Sequence, residues 1–223
     1  MTNAIFNLFN INTTFFTVFN YPMSYIEFFG TIFTIWCVWL TAKAKILSWP
    51  VGLVGSILYL FLFYQIQLYS DLFEQVYFII TGILGWITWL YFKKDINQSD
   101  KTVIVGPNSA KQNILFLLLI IFGTVILSFI TTHLGVWLPK YFPQPVSFPV
   151  LDAFTTIMSF IAQWLLIRKK IESWVLWIIV DFIAIGLYWY KGVRFISLEY
   201  LLFFFIAILG LKNWIKIYRN HKQ

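Results

Sequence analysis

Charged side chains are scarce in this sequence: Asp, Glu, Lys and Arg make up 11% of its 223 residues, against roughly 25% in a water-soluble domain. That scarcity excludes an ordinary soluble fold, which would have no polar surface to present to water. Cys37 is the only cysteine and lies in an apolar run, so an intramolecular disulfide is excluded and a redox centre gains no support. The two histidines, His133 and His221, are far apart without clustered carboxylates beside them, and no metal site is expected. A G-x-x-x-x-G-K phosphate loop is absent, as is any paired base and nucleophile that an intramembrane enzyme would need. Neither catalytic residues nor a cofactor are therefore expected. The opening "MTNAIFNLFNINTTFF" has no lysine or arginine ahead of its apolar residues, unlike a secretory signal. With Asn7, Asn10, Asn12 and Asn20 it is a poor span and reads as an interfacial lead-in; its "NTT" sequon is too short a pattern to weigh.

What is present is apolar, 60% of the chain, and aromatic, 22%. Windows of about 20 mostly apolar residues predict seven spans, over Tyr25–Ala42, Trp49–Ile66, Leu72–Phe92, Ile114–Thr131, Leu151–Ile167, Trp174–Tyr190 and Ile196–Ile215. These spans sort the basic residues by side. One side collects Lys43, Lys45, Lys93, Lys94, Lys101, Lys111, Arg168, Lys169, Lys170, Lys212, Lys216, Arg219 and Lys222, the other only Lys140, Lys191 and Arg194. The first group is expected in the cytoplasm, with the N-terminus outside and the C-terminus inside. The net charge of +7 is thus an orientation signal, and no nucleic-acid partner is expected.

The chain also matches itself at a shift of 125 positions. Glu27 falls on Asp152, Thr31 on Thr156, Trp39 on Trp164, Lys43 on Arg168, Trp49 on Trp174, Glu74 on Glu199, Gly85 on Gly210 and Trp89 on Trp214. Matched acids, glycines and tryptophans over some seventy positions imply two three-helix units. Three spans leave the chain on the opposite side, so the lone span Ile114–Thr131 returns it and the repeats run parallel. The expected fold is an all-α integral membrane protein with seven transmembrane helices, two parallel three-helix repeats joined by a linking helix (3+1+3), similar to the SWEET transporters. Segments follow: an interfacial lead-in over 1–22, a first bundle over 23–95, the cytoplasmic linker, connecting helix and outer loop over 96–149, and a second bundle with the cytoplasmic tail over 150–223.

At 100° per residue Asp152, Thr156, Ser159 and Gln163 fall within about 60° on the fifth span, with Glu27, Thr31 and Thr34 a weaker copy on the first. Trp174, Trp177, Asp181 and Tyr188 share a stripe on the sixth span, and Gln75, Phe78, Gly82, Gly85 and Trp89 one on the third. Lipid gives such stripes no reason to be polar, so they are expected to turn inward and to bind a substrate near the midplane. Trp36 and Tyr59, on the first two spans, complete the candidate substrate contacts. Structural readings stand beside these. Membrane Ser and Thr commonly bond a carbonyl one turn back, Trp174 also suits an interfacial belt, and Asp152 suits a helix start. Gln163, Trp177 and Asp181 lie too deep for such readings, and an intramembrane acid is a functional hypothesis by default.

"SWPVGLVGSILYLFLFYQIQLYSDLFEQVYFIITGILGWITW", with W-P-x-G at Trp49, Pro50 and Gly52, L-Y-x-D at Leu68, Tyr69 and Asp71, and G-W-x-x-W at Gly85, Trp86 and Trp89, resembles the PnuC vitamin transporters. Asp152, Gln163 and the W-x-x-W pair Trp174 and Trp177 extend the resemblance, which covers about Tyr25 to Arg219. It implies a bacterial inner-membrane facilitator for nicotinamide riboside, working with a cytoplasmic kinase that traps the substrate, and a possible homo-oligomer in the bilayer. Related members carry other vitamins such as thiamine, and many have asparagine where this chain has Asp181. A cationic aromatic ring suits these residues, since tryptophan faces attract its charge, Asp181 can compensate it, and Gln75 and Gln163 can bond ribose or carboxamide. A seven-helix receptor is the alternative, but a retinal protein needs a mid-membrane lysine, and the last span has only Lys212 near its end.

Overall fold

A computed structural model describes residues 9–18, 21–94, 105–140 and 148–221. A hairpin of β1 (Thr14–Val18) and β2 (Tyr21–Ser24) precedes seven helices: α1 (Tyr25–Ala42), α2 (Ser48–Gln65), α3 (Tyr69–Lys94), α4 (Ala110–Trp137), α5 (Pro149–Ile167), α6 (Glu172–Tyr190) and α7 (Arg194–Asn220). Among the described residues, seven helices are long and apolar enough to cross a membrane, as the hydropathy windows predict. The helices outrun the windows at α4 and α7, because a window marks the apolar core while the hydrogen-bond ladder continues into polar flanks. Part of the lead-in is a strand pair. "TFFTV" pairs antiparallel with "YPMS" through Thr14–Ser24, Phe16–Met23, Thr17–Pro22 and Val18–Tyr21, since its β-branched and aromatic residues favour a strand. The expectations for residues 1–8, 19–20, 95–104, 141–147 and 222–223 lie outside the described residues.

Two compact units divide the chain, Met1–Ile104 with Phe205–Gln223, and Val105–Phe204. The cut differs from the sequence segments because α7 begins in one unit and ends in the other. In the first unit, α1 and α2 approach through small residues. A Cβ at Gly30 would overlap the Tyr59 ring, and one at Gly52 or Gly55 would come within 2.7 Å of Cys37 Sγ or Thr34 Oγ1. Gly85 of α3 lies against the Trp49 ring in the same way, and Trp49 meets Trp89 edge-on at 5.3 Å. The last carbonyls of α1, which have no partner in their own helix, accept from α7: Trp214 Nε1 donates to Thr41 O at 3.1 Å and Asn213 Nδ2 to Ala42 O at 2.8 Å.

The second unit packs α4, α5 and α6 around Ile120, Met158 and Val180. Only Ile120 and Thr124 of α4 are buried, so α4 offers most of its apolar surface to its surroundings, as lipid permits. The chain entering α4 is strapped to the α5–α6 turn. Gly106 N donates to Lys169 O at 3.2 Å, Ile171 N to Gly106 O at 3.1 Å, and Asn108 N to Glu172 Oε1 at 2.9 Å. Ser109 and Gln112 then form a capping box at the start of α4, satisfying two donors reciprocally.

Four helices end alike, and the ends recur at a separation of 125. After α1, Ala44 N donates to Thr41 O and Lys45 N to Leu40 O; after α5, Lys169 N donates to Leu166 O and Lys170 N to Leu165 O. The ends of α2 and α6 correspond in the same manner, with Gln67 N to Tyr64 O and Leu68 N to Phe63 O against Gly192 N to Trp189 O and Val193 N to Tyr188 O. These are Schellman closures, whose first residue past the cap takes a left-handed backbone. The φ angles are 53° at Ala44, 60° at Gln67, 52° at Lys169 and 80° at Gly192.

Only the last of those four positions carries the residue that adopts this conformation without steric cost. Gln67→Gly is therefore expected to stabilise the protein by roughly 1 kcal/mol, the balance of relieved strain over added chain entropy, read as a raised unfolding midpoint in detergent. Gly85→Ala has the opposite sign. Its methyl must displace a rigid indole and should cost about 1 to 3 kcal/mol, whereas Gly186→Ala, with nothing within 4 Å of the new carbon, should leave the midpoint unchanged or raise it.

Candidate functional site

Each unit carries one polar stripe, and the two are built differently. In the first, Ser24 caps α1 by accepting from Glu27 N at 3.3 Å, and Glu27, 4% exposed, lies in the first turn where the helix dipole favours a carboxylate. Tyr21 Oη donates to Glu27 Oε1 at 2.6 Å, which ties the hairpin to α1. Gln65 holds the preceding strand of chain to α2, accepting from Ile11 N at 3.0 Å and donating to Phe9 O at 2.7 Å. One turn below Glu27, Thr31 Oγ1 meets Tyr59 Oη at 2.8 Å, a contact that exists because Gly30 leaves room for the tyrosine ring. Thr34 takes the structural role instead and bonds Gly30 O at 2.8 Å.

Of the first-unit candidates, Tyr59 is buried and Gln75 is 8% exposed; Gln75 makes no hydrogen bond among the described residues. Trp36 is not brought to them. It is 45% exposed beside Ile32 and Trp39, which are exposed as well, on the face of α1 opposite Gly30 and Thr34, and its ring neighbour is Phe33 at 6.3 Å. A bulky aromatic on an apolar face has no polar partner to turn it inward, and only the contact with α2 reveals which face of α1 is internal.

In the second unit α5 and α6 face each other. Ser159 is 2% exposed, Asp181 2% and Tyr188 5%, while Gln163 and Trp177 are half-buried. Trp177 stands one turn before Asp181 on the same face and packs on the Ile120, Met158 and Val180 cluster. Asp181 has no hydrogen bond or ion pair among the described residues, and neither has Gln163. Trp174, 1% exposed, is enclosed by protein, and an interfacial belt therefore does not explain it. Asp152 is engaged by Lys191 Nζ at 2.7 Å, with side-chain exposures of 11% and 15%. The same ammonium lies 5.5 Å from the Tyr188 ring centre, and Tyr188 stacks on Tyr200 at 5.1 Å with 12° between planes. Sequence reasoning missed Lys191 and Tyr200. Lys191 is separated from Asp152 by 39 positions, and no periodicity within one helix reports such a pair.

Burial, and then the neighbouring Glu27 carboxylate, hold the Tyr21 phenol above the usual tyrosine range. An unfolded tyrosine loses its proton near pH ~10, so the stability from this contact is complete below that pH and is lost as the pH rises further. Tyr21→Phe is expected to flatten the alkaline decline of the unfolding midpoint relative to wild type.

Comparisons with known proteins agree with this architecture. Residues 24–216 match the family described as Nicotinamide mononucleotide transporter. The nicotinamide riboside transporter PnuC of Escherichia coli (strain K12) is 30% identical over 217 residues, covering 90% of this chain and 89% of its own. PnuC of Neisseria mucosa is 26% identical, with coverages of 92% and 76%. The riboflavin/roseoflavin transporter RibM of Streptomyces davaonensis is 20% identical, with coverages of 92% and 91%. A crystal structure of the vitamin B3 transporter PnuC matches with a TM-score of 0.67 at 21% identity, over 99% of this chain and 88% of that one.

Proposed function

This chain belongs to the nicotinamide mononucleotide transporter family, and from that premise we propose that it imports nicotinamide riboside by facilitated diffusion. It is a multi-pass membrane transporter of a small molecule, and its relatives are transporters rather than receptors or enzymes. The substrate reading draws on the relative named for that riboside at 30% identity. In the structure itself, the observation that carries it is Asp181: a buried carboxyl without a partner among the described residues, one turn from Trp177. A carboxyl so placed needs a counter-charge or a donor when ionised, and a cationic ring supplies the charge while stacking on the indole. Gln163, whose amide likewise has no partner among the described residues, offers hydrogen bonds to ribose or carboxamide, a role for which the sequence also puts forward Gln75.

The finer parts of the reading rest on sequence. Trp174 and Tyr188 line the same helix face as Asp181, and Asp152 and Tyr59 are further candidate contacts, whereas Trp36, put forward by the sequence, lies on the exposed face of α1. The distribution of lysine and arginine supports an inner-membrane protein with its N-terminus outside and C-terminus in the cytoplasm. The 125-residue recurrence supports a 3+1+3 arrangement in which one three-helix unit rocks against the other. Segments 23–95 and 150–223 would be those units, with 1–22 and 96–149 flanking and linking them. Facilitation requires a sink, which a cytoplasmic riboside kinase provides by phosphorylating the substrate, and the broad apolar exterior suits a homo-oligomer as well as lipid. A second reading, another flat aromatic vitamin such as thiamine or riboflavin, draws on the likeness to RibM.

Calorimetry on the detergent-purified protein separates the two readings, with thiamine and riboflavin as competitors. Riboside binding is expected, weakened about tenfold by Trp177→Ala, the scale of a desolvated cation–π contact, and weakened by Asp181→Asn. Binding of thiamine or riboflavin without the riboside would keep the transporter and overturn its substrate.

A further inference from the structure

The pair Asp152 and Lys191 stands at one end of the polar stripes of α5 and α6. Asp152 opens the stripe that continues through Ser159 to Gln163, and Tyr188 closes the one that carries Trp177 and Asp181. At 1.5 Å per residue the pair lies about 15 to 17 Å along the helices from Asp181 and Gln163. The Lys191 ammonium has the Asp152 carboxylate at 2.7 Å and the Tyr188 ring centre at 5.5 Å, and that ring stacks on Tyr200. A carboxylate beside an aromatic face is the set of groups that binds a cationic aromatic ring.

The backbone does not need this lysine. The turn after α2 has the same Schellman hydrogen bonds as the turn after α6, yet Ile66 stands where α6 has Lys191, and Phe63 where it has Tyr188. In that half the acid equivalent to Asp152, Glu27, takes a hydroxyl from Tyr21 and, among the described residues, no cation. The ammonium is thus an addition confined to one half of the chain, at the site in that half whose chemistry matches a cationic ligand.

We propose that Asp152, Tyr188 and Tyr200 form an entry site for a cationic aromatic substrate, and that Lys191 is a tethered cation holding this site until the substrate displaces it. The proposal rests on the reading of the substrate as a cation. The lysine keeps the carboxylate compensated while the site is unliganded and makes entry an exchange of one cation for another. Neutral rings, which cannot replace an ammonium on a carboxylate, gain nothing from that exchange. Lys191 thereby acts as a specificity-determining residue at a distance from Asp181.

Two measurements test this on the full-length protein. In wild type, the rate at which an amine-acylating reagent labels Lys191, followed by mass spectrometry, is expected to rise when nicotinamide riboside is added and to stay constant with its reduced, uncharged form. A rate that is unchanged or falls with the riboside bound overturns the proposal. In Lys191→Met the affinity for the riboside is expected to rise roughly fivefold, the scale of removing one partly exposed competing charge, without change for the reduced riboside, and adding Asp152→Asn should abolish the gain. Equal shifts for both ligands, or no shift, would leave the pair a structural one. N-methylpyridinium serves as a probe independent of the riboside. If it drives the labelling change while the riboside does not bind, the cation site stands and the riboside assignment falls; if neither changes the labelling, the proposal fails.

Discussion

In hydrocarbon, every backbone N–H and C=O must find its partner within the protein, and the rest of this structure follows from that requirement. Helices meet it along their length, and the described residues form seven long ones. Their ends are where it is hardest to meet, and there the protein is most specific. Four helices close on themselves with Schellman bonds, three of them by forcing Ala44, Gln67 and Lys169 into a left-handed backbone. At the end of α1, Trp214 adds a bond to the Thr41 carbonyl, which also accepts from Ala44 N, and Asn213 takes the Ala42 carbonyl, from 173 and 171 positions away. The segment before α4 serves the turn between α5 and α6 with Gly106 in the same way.

Once helices are closed, their association depends on how near two of them can come, because lipid removes the hydrophobic drive that operates in water. Gly30, Gly52 and Gly55 bring α1 and α2 together, and Gly85 admits the whole indole of Trp49. The close approach also decides what polar groups do. Tyr59 reaches Thr31 because Gly30 has no side chain in the way, while in the second half Thr155 occupies the equivalent position and bonds Leu151 O and Asp152 O instead. Two positions thus separate the halves, Gly30 against Thr155 and Tyr59 against Ala184.

The two halves share backbone and differ in charge. The shared part is the set of turns and buried tryptophans, Trp49 and Trp174, Trp89 and Trp214. The differing part is where a transport function would be written: Asp181 has Ser56 as its counterpart, Lys191 has Ile66 and Tyr200 has Gln75. Helices that match at this spacing can differ in this manner because a side chain on an internal stripe changes its contacts without altering the ladder that holds the helix. Glu172 adds one more asymmetry, since its counterpart Leu47 cannot accept from a linker backbone as Glu172 does from Asn108.

Composition and periodicity alone determined that the chain crosses a membrane, where its helices run, and that Ser159, Asp181 and Tyr188 face inward. These are properties of one helix at a time, set by apolar length and by the 3.6-residue repeat, which a sequence displays directly. Which inward residues find partners is a property of pairs of helices. Only the tertiary structure decided that Asp152 is held by Lys191 while Asp181 has no partner among the described residues, that Trp36 lies on the exposed side of α1, and that a hairpin bonds Glu27. Contacts between positions 39 or more apart depend on helix separation and rotation to within a few tenths of an ångström, set by whole packed surfaces and by no spacing legible along a single strand of sequence.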